Sequence, residues 1–165
     1  MTTYRTPRSV FVLFFAIACG GFRAKLKQGE VYLERENGSA AIRVYQKALE
    51  ARPGHPKAEL GMARALIIEG EPGGAIELAR SALASGHEDA PEVLSIALLE
   101  NGQGPEALPV IELSLLKQSK EPHLHLIQAE ALLSAGELDR AVSAAERSFE
   151  LGGGPRAGSL AGWIH

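Results

Sequence analysis

From residue 22 onward the chain alternates between apolar stretches and short polar breaks rich in glycine and proline. Within the apolar stretches small residues recur in pairs 12 positions apart: Gly29/Ala41, Ala63/Ala75, Ser95/Ala107 and Ala129/Ala141. The pairs return about every 34 residues, the length of a unit of two helices that buries its apolar face only by stacking on its neighbours. In each unit the first small residue falls midway along one helix and the second early in the next, where the two backbones cross. A large side chain there would push the helices beyond the usual spacing of about 8–10 Å. A third small position, Ala48, Ala82, Ser114 or Ser148, is followed each time by a large apolar residue, Leu49, Leu83, Leu115 or Phe149. This alternation reads as core packing.

The polar breaks fall between the predicted helices. Inside the hairpins they lie at Asn37-Gly38, Gly70 to Gly74, Asn101 to Pro105 and Gly136 to Asp139. Between hairpins they lie at Pro53 to Pro56, Gly86-His87, Lys120 to Pro122 and Gly152 to Pro155. Glycine ends a helix by turning left-handed, and proline is tolerated in the first turn of the next. No stretch after residue 20 sustains the period-2 alternation of a strand. The prediction is an all-α chain with repeats at 22–55, 56–87, 88–121 and 122–155, the second two residues short. Pro109 sits inside the second helix of repeat 3. An interior proline costs roughly 3 kcal/mol, so that helix is expected either to start late, near Pro109, or to kink there.

Residues 22–155 resemble four tetratricopeptide repeats. Repeat 1 carries Gly29, Tyr32, Ala41, Tyr45, Ala48 and Pro53 at the family's spacing; repeat 2 keeps Ala63, Leu66, Gly70, Ala75 and Ala82. Repeat 4 keeps Ala129, Leu132, Gly136, Ala141 and Phe149, and repeat 3 departs furthest, with Ser95 at a small apolar position. The family's aromatic residue early in the first helix is missing from all four copies. The resemblance implies a right-handed α-solenoid that binds a protein or peptide on a concave face lined by the first helix of each hairpin.

Carried over position by position, that face comprises Arg23, Leu26, Glu30, Leu33 and Glu34 in repeat 1, and Lys57, Leu60, Arg64, Ile67 and Ile68 in repeat 2. Repeats 3 and 4 add Asp89, Glu92, Ile96, Leu99 and Glu100, then His123, Leu126, Glu130, Leu133 and Ser134. The face mixes aliphatic patches with a basic spot near Lys57 and Arg64, flanked by acids, a surface suited to an extended segment or an amphipathic helix. Recurrence of Leu26, Leu60, Ile96 and Leu126 at one repeat position also fits hairpin packing, and the glutamates also fit a solvated helix face. The lysine and asparagine clamp by which some relatives hold a terminal carboxylate is absent, because Leu26, Glu30 and Gly61 occupy its positions.

The amino terminus carries a different signal. Arg5 and Arg8 precede an apolar run from Val10 to Ala18, and no acid occurs before Glu30. A basic start, a short apolar stretch and small residues before a cut describe an export signal, and nine apolar residues fall short of the roughly 20 that span a bilayer. The sole cysteine, Cys19, stands at the cut. The arrangement resembles the lipobox of bacterial lipoproteins, which implies that the Cys19 thiol receives a diacylglycerol and that Cys19 becomes the new amino terminus once residues 1–18 are cut away, with residues 19–21 as a short tether. A plain signal peptide cut near Cys19 or Gly20 is the competing reading. Gly20 after the cysteine points to the outer membrane, facing the periplasm, rather than the inner membrane.

The whole chain has 17 basic and 20 acidic side chains, a net charge of −3. Loss of Arg5 and Arg8 with the signal takes it to −5. An acidic body argues against nucleic acid and against attachment to a membrane by charge. No enzymatic site, metal site or cofactor is expected. His123 and His125 are two apart and diverge on a helix, the turn at Gly70 to Gly74 lacks the residues of a phosphate loop, and no nucleophile elbow occurs. Residues 156–165, with Leu160, Trp163 and Ile164, are too few for another hairpin; they either cap the array or leave an edge for self-association. Two functions stand at this point. One is a membrane-tethered adaptor, similar in plan to tetratricopeptide lipoproteins that assist pilus assembly or outer-membrane protein insertion. The other is a self-associating platform or spacer at the membrane.

Overall fold

The computed structural model describes residues 8–164, with side chains described for 21–162. Within them the chain forms nine helices and no strand: α1 (Arg8–Glu34), α2 (Gly38–Ala51), α3 (Pro56–Ile68), α4 (Pro72–Ala84), α5 (Ala90–Glu100), α6 (Gly104–Lys117), α7 (Pro122–Ser134), α8 (Leu138–Glu150) and α9 (Gly154–Ile164). Consecutive helices pack as antiparallel hairpins, and each hairpin stacks on the next, an all-α solenoid. Arg5 and the side chains of the Val10–Ala18 run, of Cys19 and of Trp163 lie outside the described residues. Among the described residues no helix is long and apolar enough to cross a membrane.

The same closing device ends the first helix of every hairpin. At the end of α3 the Gly70 N–H donates to Ile67 C=O and the Glu71 N–H to Leu66 C=O, at 3.0 and 2.9 Å, with Gly70 at φ 76°. These two hydrogen bonds satisfy carbonyls that the helix would otherwise leave open. Between α1 and α2 the left-handed position is held by Glu36, at φ 52°. The turn expected at Asn37-Gly38 therefore lies one step earlier. Asn37 instead caps α2, its Oδ1 accepting from the Ala40 N–H at 3.0 Å, and Gly38 is already helical.

Gly38 is small for a tertiary reason. Glu69, at the end of α3, lays its carboxylate across the start of α2 and accepts from the Ser39 N–H and hydroxyl at 2.8 and 2.7 Å. A methyl group at Gly38 would lie 2.6 Å from Glu69 Oε1. The end of α7 repeats the arrangement, with Ser134 against Gly104 at the start of α6. Each of these hairpins is thus keyed to the next by a glycine.

The small positions are packed as the pattern requires. Ala41, Ala63, Ala75, Ala107, Ala129 and Ala141 are wholly buried. Ser95 is equally buried and stays satisfied by donating to the Pro91 carbonyl at 2.8 Å. Ser148 likewise donates to Pro122 C=O at 2.7 Å. One expected core residue is not in the core: Phe149 is 58 % exposed, its ring lying over Gly158 of α9. α9 packs along α8 and brings Leu160 and Ala161 onto the cluster around Leu132 and Ala145.

The late start expected for α6 does not occur. The helix begins at Gly104, five residues before Pro109, and continues to Lys117. Its start is fixed from outside, because the Gln103 N–H closes α5 by donating to Leu98 C=O at 2.7 Å while Gln103 C=O accepts from Glu106 and Ala107.

Candidate functional site: the inner face of the array

The first helices touch one another across hairpins, α1 to α3, α3 to α5 and α5 to α7, with no comparable row among α2, α4, α6 and α8. The stack therefore curves toward the first helices, and their outward sides form an inner face. Two adjoining cavities open on it. One, of about 250 Å³, is lined by Glu30, Lys57, Arg64, Asp89 and neighbouring residues. The second, of about 310 Å³, is lined by Leu33, Ile67, Ile68, Val93 and Ile96, with Glu92 at its margin. Leu33 and Arg64 belong to both.

Several of the charged residues expected on this face are engaged pairwise. Lys57 Nζ lies 2.7 Å from Glu30 Oε1, joining α3 to α1, and Arg64 lies 3.7 Å from Asp89 Oδ2, joining α3 to the start of α5. His123 lies 3.5 Å from Glu92, and Arg156 lies 2.7 Å from Glu130. The basic spot at Lys57 and Arg64 is thus neutralised by acids of the adjacent hairpins. Each pair is half-exposed, and such pairs contribute only about 0–1 kcal/mol. Their consequence is register along the inner face, with Lys57, Arg64 and Arg156 each set against an acid of a neighbouring element.

The remaining expected positions divide. Ile67, Ile68 and Ile96 line the apolar cavity, whereas Leu99 is half-buried and packs on the core clusters of α5 and α6. Leu26 and Leu60 are buried, whereas Ile96 and Leu126 at the same repeat position are only partly so. Arg23, Glu34 and Glu100 are exposed and line neither cavity. His125 turns away from His123, its ring nitrogen 2.9 Å from Ser119 C=O. Among the described residues no group of three His, Cys, Asp or Glu side chains is placed to hold a metal ion.

The residue that pattern reading did not place on this face is Tyr45. It belongs to α2, a second helix, yet its ring passes between α1 and α3 and reaches the polar cavity. Two glycines open the way. A methyl at Gly29 would lie 2.5 Å from the ring carbon Cζ, and one at Gly61 would overlap the same carbon. Tyr45 is 2 % exposed and lines the polar cavity. Burial, then the Glu30 carboxylate, push its pKa up to about 12, against a smaller opposing effect of Arg64. The phenol is therefore neutral at physiological pH, able both to donate and to accept. Two glycines inside helices, each costing up to about 1 kcal/mol relative to alanine, were the available sign of it.

A stack of helical hairpins with a cavity-bearing inner face defines a solenoid scaffold. Family models described as tetratricopeptide repeat match residues 32–97 and 93–155, and the chain belongs to that family, whose arrays are protein-interaction scaffolds. Among curated proteins none matches. Solved structures agree on the fold. MamA from Desulfovibrio magneticus RS-1 is 18% identical with a TM-score of 0.77, over 87% of this chain and 83% of its own. TTC0263 from Thermus thermophilus is 21% identical with a TM-score of 0.73, over 87% and 80%. YrrB, described as a tetratricopeptide protein with an unusual peptide-binding site, is 21% identical with a TM-score of 0.70, over 85% and 74%.

Proposed function

We propose that the chain is a membrane-tethered adaptor whose inner face holds a segment of another protein, in assembly of a bacterial cell-envelope complex. The observation that carries this reading is the pair of adjoining cavities, one polar and one aliphatic, on the row of first helices. Neighbouring anchor sites of opposite character suit a segment held by an apolar side chain and oriented by charge. In this reading residues 1–18 are an export signal, Cys19 carries the lipid and residues 22–155 form the binding array. The acyl chains supply attachment at about 0.8 kcal/mol per buried methylene, and Gly20 directs the protein to the outer membrane, facing the periplasm.

A photo-crosslinking residue at Ile68, in cells making the full chain, is expected to capture one discrete envelope protein. Capture from Lys117, on the far helix of repeat 3, matching that from Ile68 would remove the groove from the reading. Incorporation of a fatty-acid probe is expected in the natural chain and absent in Cys19→Ala; equal labelling of both would remove the lipid anchor.

Exposure of Phe149 and Leu138, 58 % and 51 %, favours a second reading, self-association near the carboxy-terminal edge. It predicts concentration-dependent oligomers that Phe149→Asp dissolves. A constant monomer mass across the concentration range would exclude it.

A further inference from the structure

The polar cavity of the inner face has a chemistry that its ion pairs do not exhaust. Three carboxylates line it, Glu30, Glu88 and Asp89, against two permanent cations, Lys57 and Arg64. Each pair uses one carboxylate oxygen, Oε1 of Glu30 and Oδ2 of Asp89, and the other oxygen of each is not engaged among the described residues. Tyr45, 2 % exposed as a residue, also lines it. Its phenol oxygen can accept as well as donate, so a ligand side chain in the cavity can meet it. His87 adds no permanent charge, and its Nδ1 faces the Asp89 N–H at 3.4 Å.

An incoming cation finds more here than an incoming anion. An ammonium or guanidinium group has only donors, and it meets two free carboxylate oxygens and a phenol oxygen that accepts. A carboxylate would meet the phenol proton but would compete with three acids for two cations that are already paired. The aliphatic cavity begins where this one ends, sharing Leu33 and Arg64 with it, so a second side chain of the same ligand reaches Ile67, Ile68 and Ile96.

We infer that the inner face of the first three hairpins docks a basic amphipathic segment of another protein, its lysine or arginine entering the Tyr45 cavity and a neighbouring branched aliphatic side chain entering the cavity of Ile67, Ile68 and Ile96. The inference rests on the groove reading proposed above and adds the charge of the occupant. Tyr45 supplies an oxygen acceptor held rigidly by Gly29 and Gly61, while Glu30 and Asp89 each share their charge between a resident cation and the incoming one. The aliphatic anchor supplies affinity and the acids select the sign.

The test is binding of short fluorescent helical peptides to the full chain, read by polarisation. Three peptides share a leucine face and carry lysine, serine or glutamate at the adjoining position. The lysine peptide is expected to bind tightest and the glutamate peptide at least about tenfold more weakly. Tyr45→Phe keeps the ring between its two glycines; it is expected to weaken the lysine peptide about tenfold and leave the serine peptide unchanged, because only the charge-assisted hydrogen bond is lost. Ile68→Asp is expected to weaken all three. If the serine or glutamate peptide binds as tightly as the lysine peptide, or Tyr45→Phe weakens lysine and serine peptides alike, the assignment of a cation is overturned while the groove stands. If no peptide binds but Ile68 still crosslinks to a protein, the ligand chemistry is likewise overturned and the groove stands. If neither occurs, both fall.

Discussion

The junction between the first and second hairpins and the junction between the second and third solve one packing problem in opposite ways. In the first, Tyr45 of α2 projects between Gly29 of α1 and Gly61 of α3. In the second, the residue in the same register, Ala79 of α4, is wholly buried and lies in one core cluster with Ala63 of α3 and Val93 of α5. A large side chain facing two absent ones fills the same space as a small side chain facing larger ones. The functional result differs. The second junction closes as plain core, whereas the first carries a phenol hydroxyl through to the inner face. The volume swap, not a change in fold, places a polar group at the bottom of the groove.

The most severe way to break this comparison is Gly61→Val, which puts the side chain of the second junction against the tyrosine of the first. Overpacking is expected to cost about 3 kcal/mol, read as a lowered urea midpoint. The double variant Gly61→Val with Tyr45→Ala rebuilds the Ala79 and Val93 pairing and is expected to regain more than half of that loss. Strict additivity of the two changes would show that the junctions are not interchangeable.

Alkaline titration sharpens the same contrast with a smaller effect. The folded phenol holds its proton to about pH 12, while in the unfolded chain it releases it near 10.0. Between these values the unfolded state binds fewer protons, so stability falls as pH rises and is fully present below the lower value. The loss is expected to reach about 2 kcal/mol in the natural chain beyond that of Tyr45→Phe. Identical unfolding curves for the two proteins across this window would contradict the buried phenol.

The links between hairpins rank next. Glu69→Ala removes the acceptor for both the Ser39 N–H and its hydroxyl at the start of α2, and a loss of about 1 kcal/mol in thermal or urea unfolding is expected. Glu36→Gly works in the opposite direction. It relieves a left-handed backbone at a residue with a side chain, and a gain of about 0.5–1 kcal/mol is expected, measured by the same unfolding curves. An unchanged midpoint would mean that Glu36 makes compensating contacts in the folded state.

Much of the scaffold was legible from local pattern. The buried alanines at positions 41, 63, 75, 107, 129 and 141 stand where the period puts them, and glycines at positive φ close α3, α4, α5, α7 and α8. These features depend on backbone geometry within one hairpin, which residue type reports directly. Features that join hairpins were not legible. Glu69 over Gly38 and Lys57 against Glu30 depend on how far one hairpin advances past the next. The late start that Pro109 offered for α6 failed for a related reason, since that start is set by the closing bonds of α5 and not by the proline. Phe149 occupies a repeat position that reads as core, yet its ring lies over Gly158 of α9 and stays largely in solvent.

By itself the sequence determined the class of the molecule, two-helix units of about 34 residues with small side chains at the crossings, and its resemblance to tetratricopeptide repeats implied an inner face on the first helices. Tertiary structure decided what that face contains. It paired the cations with acids from adjacent hairpins, and it sent a tyrosine from a second helix through two glycines into the groove. The physical reason is one of range. Helix periodicity and turn chemistry act over a few neighbouring residues, so they are written in local order. Shape complementarity and charge pairing act between residues tens of positions apart, and take effect only once the hairpins have stacked.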